Sequence, residues 1–244
     1  MNLSGISRNI VLGKILRYPL RFIPPETIVR ILQGRLTGKK WIIGSCDHGC
    51  WLGSYEYKKR ILFETIVREG GIVFDIGAHA GFYSLLASIL VGPQGKVFSF
   101  EPNSRNLYYL KRHIQLNKIN NVSVLEAAVS DHDGYAYFSN DDPTGLTGRL
   151  SLKGRALVKT VTLDKLYSEK KIPIPDYMKI DVEGGELSVL SGARTMLSRF
   201  HPTLFLSTHG EAVHNQCCDF LKSIGYELKP IVGTDMDELL CYKS

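Results

Sequence analysis

Between Ile72 and Gly225, short β-branched or aromatic runs alternate with longer stretches whose apolar residues recur at helical spacing. That alternation constrains the fold more than any other property of the chain, because a strand–helix–strand unit returns to its sheet as a parallel neighbour. Ile72-Val73-Phe74 ends at Asp75, Gly77 to Gly81 turns the chain, and residues 82–90 read as a buried helix stopped by Gly92-Pro93-Gln94-Gly95. Val97-Phe98-Ser99-Phe100 is the next strand. Asn103 has the side chain to cap a helix running to about Lys118, and Asn120-Asn121 turns into a strand at 122–125. The rhythm resumes with a strand at 177–181, a helix from Glu186, a strand at 203–207 and a helix from Glu211 that stops at Gly225. Strands at 226–229 and 239–242 close the chain as a hairpin. The expected fold is α/β, a mostly parallel, doubly wound sheet.

Residues 130–170 break the rhythm. Asp131-His132-Asp133-Gly134 is a turn, residues 135–138 and 158–163 read as strands, and a short helix starts at Asp164. The stretch 140–154 is polar, Gly-rich and aperiodic, and a loop of that length in a compact domain is usually functional or mobile. With Arg149 and Arg155 it is expected to act as a lid on the acceptor. Upstream, Gly-punctuated apolar runs at 41–44 and 51–56 read as strand and turn pieces, and 56–68 as a helix stopped by Gly70-Gly71. The expected organisation is a basic extension over residues 1–55 and an α/β domain over 56–244.

The formal charge of +6 belongs to that extension. Eight of the 30 basic side chains and one of the 24 acids fall in residues 1–40, leaving 22 basic against 23 acidic elsewhere. Phosphate binding needs clustered Lys and Arg, so the near-neutral body speaks against a nucleic-acid partner. Ile6, Ile10, Val11, Ile15 and Leu16 share a helical face with Arg8, Lys14 and Arg17 turned away. Such a face docks on its own domain or rests on an anionic membrane surface, here through residues 1–40. The apolar run after Arg8 is too short for a secretory leader, and no stretch reaches the roughly 18 apolar residues of a membrane span. Five cysteines, an odd number, point to a reducing compartment, hence a cytoplasmic chain that is at most membrane-peripheral. Cys46-Asp47-His48-Gly49-Cys50 has the look of half a metal site but lacks a second ligand pair at zinc spacing.

In an open parallel sheet, ligands bind beyond the carboxyl ends of the strands, beside the point where strand order reverses. A dinucleotide fingerprint, G-x-G-x-x-G, fails there, because His79 and Phe82 stand where its second and third glycines belong. Instead Asp75 precedes the first glycine by two residues. A carboxylate in that place repels a pyrophosphate; it suits an ammonium or sulfonium, or it holds the turn by accepting backbone N–H groups. Glu101, closing the next strand, can accept hydrogen bonds from a ribose 2′,3′-diol. A nucleoside with a cationic, amino-acid-like part meets both demands, and S-adenosylmethionine fits that description.

Three segments carry a family resemblance. Val73-Phe74-Asp75-Ile76-Gly77-Ala78-His79-Ala80-Gly81-Phe82-Tyr83-Ser84, then Gly95-Lys96-Val97-Phe98-Ser99-Phe100-Glu101-Pro102-Asn103, then Met178-Lys179-Ile180-Asp181-Val182-Glu183-Gly184-Gly185-Glu186 resemble, in order and spacing, the motifs of FkbM-type methyltransferases. The resemblance covers about residues 60–225, with Trp51-Leu52-Gly53-Ser54-Tyr55-Glu56 similar upstream. It implies a class I Rossmann-like methyltransferase fold with an N-terminal helical and strand extension, S-adenosylmethionine as donor, and O-methylation of sugars, glycans or secondary metabolites. It places the donor among Asp75, Gly77, Ala78, His79, Gly81, Phe82, Tyr83, Glu101, Pro102, Asn103 and Ala128. In that scheme Gly77 and Gly81 admit the methionine moiety, Asp75 sits beside it, Glu101 holds the ribose, and the peptide around Ala128 faces the adenine edge.

A sugar hydroxyl is a poor nucleophile at neutral pH, so a base or a metal ion is expected to help. Asp181 and Glu183 follow one strand and His209 follows the next, which makes them neighbours in a parallel sheet. Either Asp181 or His209 is the general base, or Asp181, Glu183 and His209 hold a divalent ion that acidifies the hydroxyl. Glu186, Tyr55 and Glu56 are secondary candidates. The acceptor is expected to be a small-molecule or glycan hydroxyl. RNA methylation and a catalytically silent nucleoside-binding scaffold are the competing functions, the first opposed by the neutral body and by the missing Asn/Asp-Pro-Pro-aromatic signature after Ile180.

Overall fold

The computed structural model describes residues 20, 22–139, 149–151, 156–234 and 237–243. The amphipathic face at 6–16 and most of the 140–154 stretch, with the Arg149 and Arg155 side chains, lie outside the described residues. Among the described residues no helix is long and apolar enough to cross a membrane.

The strands, in chain order, are β1 (Ile28–Arg30), β2 (Lys40–Ile42), β3 (Ile72–Ile76), β4 (Lys96–Phe100), β5 (Val122–Leu125), β6 (Ala128–Val129), β7 (Gly134–Ser139), β8 (Arg149–Ser151), β9 (Ala156–Val161), β10 (Tyr177–Ile180), β11 (Thr203–Ser207), β12 (Glu227–Pro230) and β13 (Glu238–Tyr242). The helices are α1 (Gly49–Leu52), α2 (Tyr57–Ile66), α3 (Phe82–Val91), α4 (Ser104–Leu116), α5 (Leu163–Ser168), α6 (Glu186–Ser191), α7 (Arg194–Phe200) and α8 (Glu211–Ser223). The main sheet runs β12-β13-β11-β10-β3-β4-β5. From β11 to β5 every pairing is parallel; β13 joins β11 antiparallel, and β12 and β13 form the expected hairpin. A smaller sheet, β6-β9-β7-β8, occupies the irregular middle of the sequence.

Alternation along the strands splits the core into two layers. Phe74, Ile76, Met178, Ile180, Leu204 and Leu206 face α5 to α8, while Val73, Val97 and Phe205 face α2, α3, α4 and the residues before them. Helices on both faces make the sheet doubly wound, as expected. Because β3 is central, its carboxyl end and that of β10 mark the place where the chain's crossovers diverge.

One expectation needs correction. Residues 49–52 form a short helix, α1, closed by Gly53 in the left-handed region (φ 81°), instead of a strand piece. Cys46 and Cys50 are joined by a disulfide.

His113 anchors the upstream residues to this sheet. It is fully buried in the last turn of α4 and stacks on Trp41 with ring centroids 3.8 Å apart. Its Nδ1–H donates to the Ala80 carbonyl at 2.8 Å, and its Nε2 accepts the Ile42 N–H at 2.9 Å. The partners fix the neutral tautomer, and burial holds the imidazole down at about 4. One ring therefore ties β2 to the turn that follows β3. His113→Leu should cost about 2–4 kcal/mol in urea denaturation at pH 7.5, because two buried backbone groups lose their partners. At pH 5 the cost should shrink. There the unfolded imidazole takes up a proton that the native one refuses, so the parent has already lost about 2 kcal/mol of stability as pH fell below 6.5.

Candidate active site

The turn after β3 is built for close approach. Gly77 has φ +75°, and a Cβ there would stand 1.9 Å from the Asp181 carbonyl oxygen. Only glycine lets the ends of β3 and β10 converge. The N–H groups of Gly77 and Ala78 both donate to the Phe100 carbonyl at 3.0 Å. His79 takes a left-handed conformation (φ 51°), and its N–H points at Glu101, donating to Oε2 at 2.7 Å. Asn103 donates its own N–H to Glu101 Oε1 at 2.8 Å, and its side chain caps α4. Glu101 is thus gripped by backbone at both oxygens. Burial nevertheless pushes its carboxyl up to about 7, against the backbone donors that favour the anion.

A cavity of about 260 Å³ opens over these strand ends. On the β4 and β5 side it is lined by Glu101, Pro102, Ala128, Val129 and Phe138; on the β3 and β10 side by Gly77, Asp181 and Glu183. Asp47 and Tyr55 add a wall from the residues before α2. Of the residues singled out in the sequence, Tyr55, Gly77, His79, Glu101, Pro102, Ala128, Asp181 and Glu183 line it. Asp75, Ala78, Gly81, Phe82, Tyr83, Asn103 and His209 lie outside that lining. Phe82 and Tyr83 are buried between neighbouring rings, Phe82 edge-on to Trp41 and Tyr55, Tyr83 edge-on to Phe63. A Cβ on Gly81 would meet Leu110 Cδ1 at 2.4 Å, so that glycine serves the packing of α4. Asp75 lies under the turn and accepts from the Ser84 hydroxyl at 2.6 Å.

Beneath the cavity runs a buried charge network. Lys179 and Asp75 are in-register partners on β10 and β3, and Ser99 continues the row on β4. Lys179 Nζ donates to the Gly77 carbonyl at 2.9 Å and lies 3.7 Å from Asp75 and 3.5 Å from Asp181 Oδ2. Lys59, 1% exposed on α2, reaches the same Asp181 oxygen at 3.6 Å while contacting Glu56 at 3.1 Å and Glu238 at 3.0 Å. Burial pushes the Asp181 carboxyl up, but Lys179, Lys59 and His209 outweigh it and hold the group well below the usual range. Burial likewise works against both lysines, and their carboxylate partners leave each raised.

His209 stands beside this pair. Its Nδ1 bonds to Glu186 Oε1 at 2.8 Å, which leaves Nε2 3.7 Å from Asp181 Oδ1 and 3.5 Å from Glu183 Oε2. The Glu186 hydrogen bond, with Asp181 and Glu183, pushes the imidazole up to about 9 despite burial. Glu186 is fully buried and also accepts the Gly184 N–H at 3.0 Å, so it holds the turn that presents Glu183. Asp181, Glu183 and His209 are therefore brought together, with ligand atoms within 4.8 Å of one another. That spacing suits a proton-relay cluster and a divalent ion alike.

Sequence reading missed Lys59, Lys179, Phe138 and the Asp47 loop. A lysine at an inward position of a buried strand, in register with an aspartate, was a usable signal for Lys179. Lys59 gave none, since Tyr57-Lys58-Lys59-Arg60 reads as a solvated basic helix face.

Residues 75–228 match the family model described as the methyltransferase FkbM domain. The hexuronic acid methyltransferase AglP of Haloferax volcanii is 29% identical over 140 residues, 57% of this chain and 56% of that protein. The chain thus matches little more than half the length of this curated relative. The FkbM methyltransferase structure from Methylobacillus flagellatus KT has a TM-score of 0.51 at 19% identity, over 81% of this chain and 55% of that one. A SAM-dependent O-methyltransferase from Thermotoga maritima has a TM-score of 0.51 at 12% identity, over 93% and 80%. These two likenesses are likenesses of fold. The family match spans more than half of the sequence and includes the strand ends that build the cavity: the chain belongs to the FkbM methyltransferase family.

Proposed function

We propose that this chain transfers a methyl group from S-adenosylmethionine to a hydroxyl group of a sugar, glycan or secondary metabolite. The observation that carries the reading is Glu101: a buried carboxylate, fixed by two backbone N–H groups, lining a cavity next to the positive-φ turn at Gly77. With the Asn106 side chain as a third donor, Glu101 still has acceptor capacity for a ribose hydroxyl, and Pro102, Ala128, Val129 and Phe138 make the adjoining wall apolar, as an adenine requires. When bound, S-adenosylmethionine supplies an electrophilic methyl group on a good leaving group. A sugar-type acceptor is supported by the curated relative, whose name specifies a hexuronic acid.

The chain's own residues then have to place the acceptor and take its proton. His209 is the proposed base. Glu186 holds the Nδ1–H tautomer, so Nε2 faces the carboxylates of Asp181 and Glu183. Asp181 stays anionic between its lysines, which suits it to stabilise the imidazolium formed when His209 takes a proton.

Three outcomes are expected. Calorimetry should find S-adenosylhomocysteine binding about tenfold weaker at pH 6 than at pH 8, as Glu101 gains a proton near 7. Glu101→Gln should bind weakly at both pH values, and a parent affinity independent of pH would remove Glu101 from the ribose site. Methyl transfer at saturating donor should rise from pH 6.5 toward about 9, where His209 becomes neutral, and should survive EDTA. A flat profile would count against His209 as base, whereas loss of rate to EDTA with recovery on adding a divalent ion would favour the metal arrangement. Labelled donor offered with hexuronic acids, neutral sugars and bulk RNA should mark a sugar hydroxyl; label in the RNA alone would overturn the assignment.

A further inference from the structure

The nucleoside half of the donor and its amino-acid half need different walls. Resting on the proposed function, Glu101 and Ala128 assign the nucleoside to the β4 and β5 side of the cavity, so the amino-acid tail crosses β3 at Gly77 toward β10. Asp47 and Tyr55, which precede the family-matched segment, line the same cavity, and Tyr55 stands close enough to Asp181 and Asp47 to feel both charges.

That wall is held rigidly. Asp47 Oδ1 accepts the Gly49 N–H at 2.6 Å inside a loop closed by the Cys46–Cys50 disulfide. Arg105 of α4 donates to the Gly44 carbonyl at 2.7 Å, and the Tyr55 N–H donates to the Gly49 carbonyl at 3.1 Å. The Tyr55 ring packs edge-on against Phe82 with centroids 5.1 Å apart. Its hydroxyl bonds to Glu56, a residue in the left-handed region (φ 40°) that also receives the Tyr83 hydroxyl at 2.9 Å. A phenol that donates to Glu56 still has lone pairs to offer. Of the other acids lining this end, Asp181 has one oxygen engaged by two ammonium groups, and Glu183 stands 3.5 Å from His209 Nε2.

We propose that Asp47 and Tyr55 form the subsite for the α-ammonium end of the donor, Asp47 as its carboxylate partner and the Tyr55 oxygen as a second acceptor. The upstream loop then completes a donor site whose nucleoside half comes from the family-matched strands. Charge-assisted hydrogen bonds of this kind are the strong ones, and they are lost when the acid is made neutral.

The test compares two ligands that share the nucleoside. S-adenosylhomocysteine carries the amino-acid tail, and 5′-methylthioadenosine lacks it. In calorimetry on the full chain, Asp47→Asn should weaken S-adenosylhomocysteine by about tenfold or more and leave 5′-methylthioadenosine within about twofold. Tyr55→Phe, which keeps the ring on Phe82, should show the same selectivity with a smaller loss. Equal losses for both ligands, or no loss for either, would overturn the subsite while leaving the methyltransferase reading intact. A parent chain that binds neither ligand would overturn that reading and the subsite with it.

Discussion

Asp181 lies between two buried ammonium groups, and much of the site's geometry follows from keeping all three in place. A lysine side chain left unpaired in a protein interior is expelled or neutralised, because desolvation costs more than packing returns. Lys59 and Lys179 stay because Glu56, Glu238, Asp75 and Asp181 surround them. The four acids come from the residue before α2, from β13, from β3 and from the end of β10. One electrostatic unit therefore ties the first turn of a peripheral helix to the crest of the sheet before any ligand arrives. Gly77 is part of the same unit, since its carbonyl accepts from Lys179 and its missing side chain leaves room for the Asp181 backbone.

That unit divides labour among carboxylates that look alike in the sequence. Asp181, with two cations on one oxygen, is the group least able to take a proton. Glu101 has backbone donors in place of cations, so burial dominates and its proton sits near neutrality. Glu186 is not part of the cavity lining and spends one oxygen on His209 and on the Val182 and Gly184 N–H groups. Environment separates a fixed anion, a titrating binder and an orienting partner, and pushes the imidazole between them upward.

The strands and helices of the sheet were legible because hydrophobic period and turn chemistry agreed. Val73 and Phe74 point to opposite layers, Asn103 caps its helix, and Gly225 stops another, each as pattern alone requires. The crest residues were legible for the same reason, since strand ends in a parallel sheet are where ligands go. What sequence could not separate was contact from support. Phe82 and Tyr83 follow the turn directly, yet helix α3 starts there and swings both rings into the core. Asp75 is the last residue but one of β3, yet its side chain alternates into the layer beneath, against Ser84. Lys59 was hidden more deeply, because its role depends on carboxylates up to 179 residues away and no local pattern marks a lysine that will be buried.

The residues ahead of β3 sit against this same machinery. Ile42 is held by His113, Gly44 by Arg105, and Lys59 by the sheet's own acids. Three anchors of different chemistry fix the Cys46–Cys50 loop and Tyr55 relative to Gly77, so their wall cannot drift without disturbing either the buried imidazole or the buried ammonium. Motifs shared across a family build the crest, where the chemistry demands particular groups. A wall supplied by residues outside those motifs can carry different cavity-facing groups without moving a strand end, because the three anchors act on Ile42, Gly44 and Lys59 and not through the side chains of Asp47 or Tyr55.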